Sequence, residues 1–598
     1  MPTRLLTRRD FLRGGAATAG GLLLASSLPP FARAADGPAD FVLRNGFVWT
    51  LDYRVPTASA VAVRDGWIVY VGSDSGVRDH VGPGTEVIDL KGRMAMPGIH
   101  DGHVHPMSGG RALTAASLFY AQLSLQEFLD AIAGFLADSA VDEPDGWLRV
   151  GQWDAIAMGD LPDRHDLDGL DTARPIIVFS LDGHIALVNS RALEIAGVTG
   201  ATPDPPDGEI ERDAQGDPTG ILYDGAIGLV SSVIPPPTVE QNTRSLRAAF
   251  RLMGRRGITS YLDAAADPED LAAVAALSDA GRLTLRPSLA LFVSPESLEQ
   301  PNALVGELED LRAAHARPDV TVIAAKLFFD GVIEYPTQTA AMINPYRVNT
   351  GTEADPHWEP GDSIGPTYFP PEIANPGIAA LDAAGWQVHI HAIGDRAVRS
   401  ALDAIEHARS VNGDLGHRHT LAHIEAIHVD EYARFSQLGA LASMQMQWAE
   451  RDSYTMKRLK PYIGRSRWKR LYAAGSLEAA GARLCGGSDW PVDPLLPFRQ
   501  IEMAVNRTAD EIYRGDDEAL NPEQSISLRS SIAMHTLNSA YQLHQEGTTG
   551  QIGAGHKADL VVIDRNLFAV HLTEASTTEV LLTMVEGEIV HLSSDLVV

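Results

Sequence analysis

Short apolar runs and stretches of helical periodicity alternate along most of this chain. The runs cover residues 99–105, 257–263, 286–293, 320–330, 386–394, 420–425, 441–448 and 483–489. Each reads as strand-like, and their alternation with helical stretches is that of a parallel α/β barrel. Between or after them, residues 243–256, 396–409 and 528–541 space their apolar positions three and four apart, as amphipathic helices do. The pattern predicts an α/β protein built on a (β/α)8 TIM-like barrel.

The two ends have another texture, with alternating apolar and polar residues broken by tight turns such as Asn45-Gly46 and Asp65-Gly66. Neither end has enough strands to cover its own apolar face. Residues 38–97 and 545–598 are therefore expected to join in one small composite β-sandwich, with the barrel at 98–544. Two stretches exceed a minimal barrel. One is a large insertion after the first strand, at about 107–238. The other is a Pro/Gly-rich loop at about 335–371, whose Tyr, Trp and Pro content predicts a lid.

The first residues read as an address. Thr7-Arg8-Arg9-Asp10-Phe11-Leu12-Arg13 is a twin-arginine pattern, followed by a weakly apolar run and by Ala32-Arg33-Ala34. Residues 1–34 are expected to be a twin-arginine signal peptide, removed on export to a periplasmic or secreted location. The run is too short and too rich in Gly and Ser to anchor the protein in a membrane. Cys485 is the only cysteine, so no intramolecular disulfide can form. With 45% hydrophobic and 21% charged residues, the chain has the composition of a soluble globular protein. A net charge of −30 argues against nucleic acid and anionic membrane as partners. The partners expected are a small-molecule substrate and, in a homodimer, a second copy of the chain.

Candidate chemistry begins at Pro97-Gly98-Ile99-His100-Asp101-Gly102-His103-Val104-His105. Strand alternation puts His103 and His105 on one face, which makes half of a metal site. Other runs end in Lys326-Leu327-Phe328-Phe329-Asp330, His389-Ile390-His391-Ala392-Ile393-Gly394-Asp395, Leu421-Ala422-His423-Ile424-Glu425 and Gly487-Ser488-Asp489-Trp490-Pro491. Together these motifs resemble the amidohydrolase superfamily, in its YtcJ-like, amidohydrolase-3 branch, which includes N-substituted formamide deformylases. The likeness runs from about Phe41 to the C-terminus. Gly151-Gln152-Trp153-Asp154 and Gly183-His184 resemble that family's inserted domain, and Gly553 to Asp559 resemble the start of its composite end domain.

The resemblance implies metal ligands at the C-terminal ends of the barrel strands: His103, His105, Lys326, His391, His423 and Asp489. A divalent metal is implied, zinc first, with two ions if Lys326 is carbamylated. The apolar setting of Lys326 leaves two readings open, a carbamate or an ammonium that reaches Asp330. In strand five the family's ligand is the histidine before Ala-Ile-Gly-Asp, so His391 is expected at the metal and His389 one layer deeper. The chain departs from its relatives at Glu425, where Gln is common, and at Met446 and Trp448, which replace Pro and His.

The implied reaction is hydrolysis of the C–N bond of an N-acyl or N-formyl compound by metal-activated water. Asp489 would take the water's proton and His423 would assist. Trp153, His184, Phe328, Gln445, Trp448 and Trp490 are expected to contact a substrate with an apolar or aromatic arm. The alternative for the aromatic residues is packing against the insertion. A deaminase or an ester or lactone hydrolase on the same site is the alternative chemistry. A non-catalytic binding protein is disfavoured because every ligand position is kept.

Overall fold

A computed structural model describes residues 37–138, 146–158, 161–181, 183–205, 208–352, 354–452, 455–508 and 518–596. The segment read as a signal peptide lies outside the described residues. Among them, no helix is long and apolar enough to cross a membrane.

Eight strands form the central sheet: β1 (Ile99–Val104), β2 (Ile258–Ala266), β3 (Arg286–Phe292), β4 (Thr321–Phe328), β5 (Gln387–Ala392), β6 (Thr420–His423), β7 (Leu441–Met444) and β8 (Arg483–Gly486). Each falls within or close to one of the apolar runs, and neighbours pair in parallel in chain order. The chain after β8 closes the ring onto β1. There the Asp489 N–H donates to His103 O over 2.7 Å and the His105 N–H to Trp490 O over 2.8 Å. This closure requires Gly487, because a Cβ there would stand 2.6 Å from the His103 backbone nitrogen. The strands are buried on both faces because helices such as Pro371–Ala383 and Asp395–Asn412 cover the outside of the barrel.

Three elements differ from their predicted bounds. The first helix begins at Val239, one turn before residue 243, because Thr238 caps it reciprocally with Gln241. β7 stops at Met444, and the chain then turns through Met446–Trp448 in a 3-10 helix. The helix predicted over 528–541 is interrupted by a π-turn at Met534–Asn538.

The two chain ends meet in a second β layer. Leu560–Ile563 pairs antiparallel with Met94–Pro97 inside a six-stranded sheet, which packs on a four-stranded sheet through Leu43, Val61, Ile68, Leu560 and Leu582. Residues after β1 build a separate six-stranded sheet with its own core around Phe128, Trp153 and Val178. In the loop expected as a lid, Ala340, Ala341, Met342 and Tyr346 are buried and Tyr335 stacks on Tyr462 at 4.6 Å, while residues 348–352 and 354–357 are exposed.

Candidate metal centre

Strand register fixes the heights of the site's side chains. Lys326 on β4 lies opposite His389 on β5, and Phe328 lies opposite His391. His391 therefore sits one layer nearer the mouth than Lys326 and His389. On the neighbouring strand, Ala392 lies opposite His423. At the strand ends the backbone leaves the ordinary region, with φ of 75° at His423, 53° at Ile424 and 55° at Asp489. A β-branched residue at positive φ is a strained conformation, and such strain gathers at functional sites.

The donor atoms converge. Asp489 Oδ1 is 3.1 Å from His105 Nε2 and 3.3 Å from His103 Nε2, and Asp489 Oδ2 is 4.0 Å from His423 Nδ1. Ligand atoms of His103, His423 and Asp489 all lie within 4.8 Å of one another, in a buried triad that can hold a divalent metal. The atoms behind them fix the rings. His103 Nδ1 is 2.8 Å from His389 Nε2, and His391 Nδ1 is 3.2 Å from Asp330 Oδ1. Asp330 is itself held by the N–H groups of Ala341, Ile393 and Gly394. With Nδ1 engaged in both rings, Nε2 is left for a metal.

Electrostatics favour the same arrangement. Burial, and then the charge of Lys326, holds His103 well below the ordinary imidazole range, so the ring is neutral. Burial would raise the Asp489 carboxyl, but His105, His423 and Lys326 outweigh it and keep the group ionised. Burial pulls the Lys326 amine down to about 7, against the attraction of Asp489. Its Nζ is fully buried, makes no hydrogen bond and lies 4.4 Å from the centre of the Phe328 ring. Asp330 is occupied by His391 and three backbone N–H groups, so the lysine–aspartate pair considered from sequence does not form. Lys326 Nζ and His423 Nδ1, both buried without hydrogen bonds beside an ionised carboxylate, fit a site built for a cation.

The centre opens into a cavity of about 1310 Å³ between the barrel mouth and the insertion. Phe328, Trp448 and His184 line it. The Trp448 ring stacks on His423 at 5.9 Å, and the Phe328 ring lies 5.2 Å from His391. His184 Nδ1 is 2.5 Å from Asp224 Oδ1, an orienting pair hidden in the sequence because its members stand 40 residues apart.

Two expected contacts are corrected. Trp153 lines the cavity as expected and also packs into the insertion's own core, on Phe128 at 5.4 Å. Trp490 is buried over Gly109, where a Cβ would collide with its ring, and is not part of the cavity wall. Gln445 is buried at the end of β7, and Gln447 lines the cavity in its place because the 3-10 turn resets the alternation. His419, just before β6, is buried and bonded to Asp382 at 2.9 Å. Burial pushes the Cys485 thiol up to about 12, so it is no nucleophile.

Known proteins share this plan. The chain is 28% identical to "Putative amidohydrolase YtcJ" of Bacillus subtilis, over 92% of this chain and 99% of that protein. It is 26% identical to "N-substituted formamide deformylase" of Arthrobacter pascens, over 92% and 97%. Among solved structures, an uncharacterized metal-dependent hydrolase of Pyrococcus horikoshii superposes with a TM-score of 0.68 at 23% identity, over 90% of this chain and 99% of that one. The amidohydrolase family model matches residues 86–591, and the chain belongs to that family as a metal-dependent hydrolase.

Proposed function

We propose that this protein hydrolyses the C–N bond of an N-acyl or N-formyl amine with an apolar or aromatic arm. The observation that carries this reading is the Asp489 carboxylate, set against the Nε2 atoms of His103 and His105 where the centre meets a large, partly aromatic cavity. Similarity to a formamide deformylase along nearly the whole chain supports an amide over other C–N bonds.

His103, His105, His391, His423, Asp489 and a carbamylated Lys326 would hold the metal, with zinc suited to this nitrogen and oxygen donor set. When bound, it supplies Lewis acidity toward a carbonyl oxygen and acidity to a water. The carbamate forms when the neutral Lys326 amine adds CO₂ and loses a proton, which a partnerless amine pulled down to about 7 allows near neutrality.

The side chains do the remaining work. Asp489 orients the attacking water, takes its proton on the carboxylate and passes it to the leaving amine. His389 and Asp330 keep His103 and His391 turned toward the centre. Phe328 and Trp448 flank the substrate's arm, and His184, steadied by Asp224, contacts its polar end.

The test is hydrolysis of a panel of N-formyl and N-acyl amines, esters and aminated heterocycles by chelator-treated and zinc-reloaded protein. Activity on the amides that returns with metal supports the reading. Turnover of only the esters or heterocycles assigns another chemistry to the site.

A further inference from the structure

Beyond the metal centre, the cavity wall is strongly acidic on one side. The chain after β4, β6, β7 and β8 contributes Glu334, Glu425, Glu450, Asp452 and Asp493 to it. Among the described cavity residues after β4, Arg499 is the one lysine or arginine, and it already pairs with Glu450 Oε1 at 2.6 Å.

Two of these carboxylates are buried with an oxygen left over. Glu425 is 3% exposed, and its Oε2 makes no hydrogen bond. Glu450 is 6% exposed, and its Oε2 likewise has no donor. Burying a carboxylate oxygen without a donor is costly, and a ligand that brings N–H groups recovers that cost on binding. The metal-type group of His, Asp and Glu found among the described residues is His103, His423 and Asp489, so the acidic wall is too spread out to chelate an ion. An extended organic cation suits it better. Phe328 and Trp448 border the same space and can pack along an alkyl or aryl arm.

We propose that the cavity selects substrates whose arm carries a protonated amine or guanidinium, and that Glu425 and Glu450 are the specificity-determining residues that bind it. This rests on reading the cavity as the substrate site of the hydrolase, and it extends that reading from an apolar arm to an apolar arm with a cationic end.

Binding tests this without turnover. Zinc-loaded, full-length protein is titrated calorimetrically at low salt with 4-phenylbutylammonium chloride and with 4-phenylbutan-1-ol, which has a similar shape but no charge. The cation is expected to bind at least about tenfold tighter, the worth of one charge-assisted hydrogen bond. Glu425→Gln and Glu450→Gln should each erase much of that preference and leave the alcohol's affinity and the zinc content unchanged. Should either variant fail to fold, salt titration of the wild type decides: ammonium affinity should fall with added NaCl while alcohol affinity stays level. Equal affinity for the two probes, a preference that survives both substitutions, or salt-insensitive ammonium binding overturns the proposal. A protein that binds the cation selectively yet cleaves no amide loses the hydrolysis reading and keeps this one. A protein that cleaves amides without cation preference does the reverse.

Discussion

His389 Nε2 lies 2.8 Å from His103 Nδ1, on the side of the ring away from Asp489. The two residues are 286 positions apart in the chain, and the barrel brings them together. With a metal at Nε2, His103 Nδ1 carries the proton and donates it to His389, which fixes both tautomer and ring orientation.

His389→Phe keeps an aromatic ring at this place and removes the acceptor. Outer-shell losses of this kind cost about 10- to 100-fold in metal affinity. Competition titration against a chromophoric zinc chelator should show that loss with the fold intact. An unchanged affinity means that the contact does not orient the ligand.

Lys326 is buried without a partner, and its amine is held down to about 7. Two metal ions per chain and an added CO₂ on this residue are expected in the native mass spectrum. Lys326→Ala should lose most bound metal, and short carboxylic acids should restore part of it by filling the place of the carbamate. One ion per chain, equal in wild type and variant, contradicts this.

Part of the acid sensitivity should come from buried histidines outside the centre. Burial lowers His100 and His535 to about 4, from 6.5 for the exposed residue. The unfolded chain therefore binds more protons between pH 6.5 and 4, and stability falls as the pH drops through that window. Each histidine contributes on the order of 3 kcal/mol of loss by pH 4. Urea unfolding of metal-free protein should show this slope, and His535→Gln should flatten it. A stability constant from pH 7 to 4 contradicts the burial argument.

The barrel was legible because a strand covered on both faces must be apolar throughout, and its ligands interrupt that pattern where the strand meets the cavity. His391 and His423 stand out for this reason. The reading failed where strand geometry stops. β7 ends at Met444, so alternation could not carry through Gln445 to Trp448 and pointed to the wrong glutamine. Trp490 looks like a cavity residue because aromatic groups near a barrel mouth often are. Whether such a ring reaches the cavity depends on what can pack against it, and Trp490 fills the space left by Gly109 instead. The acidic cavity wall comes from four separate strand ends, and only the folded barrel brings its residues together.

The most direct test is kcat for Asp489→Asn, measured with metal content on the same preparation and with any N-formyl or N-acyl amine that the wild type cleaves. The substitution keeps the shape of the side chain and removes the base, while His103, His105, His391 and His423 remain. Loss of a general base costs about 10²- to 10⁴-fold in rate. A fall in kcat of that size is expected, with most metal retained and KM little changed. A variant that keeps near-normal kcat with full metal would contradict it, and some other group would then have to take the water's proton.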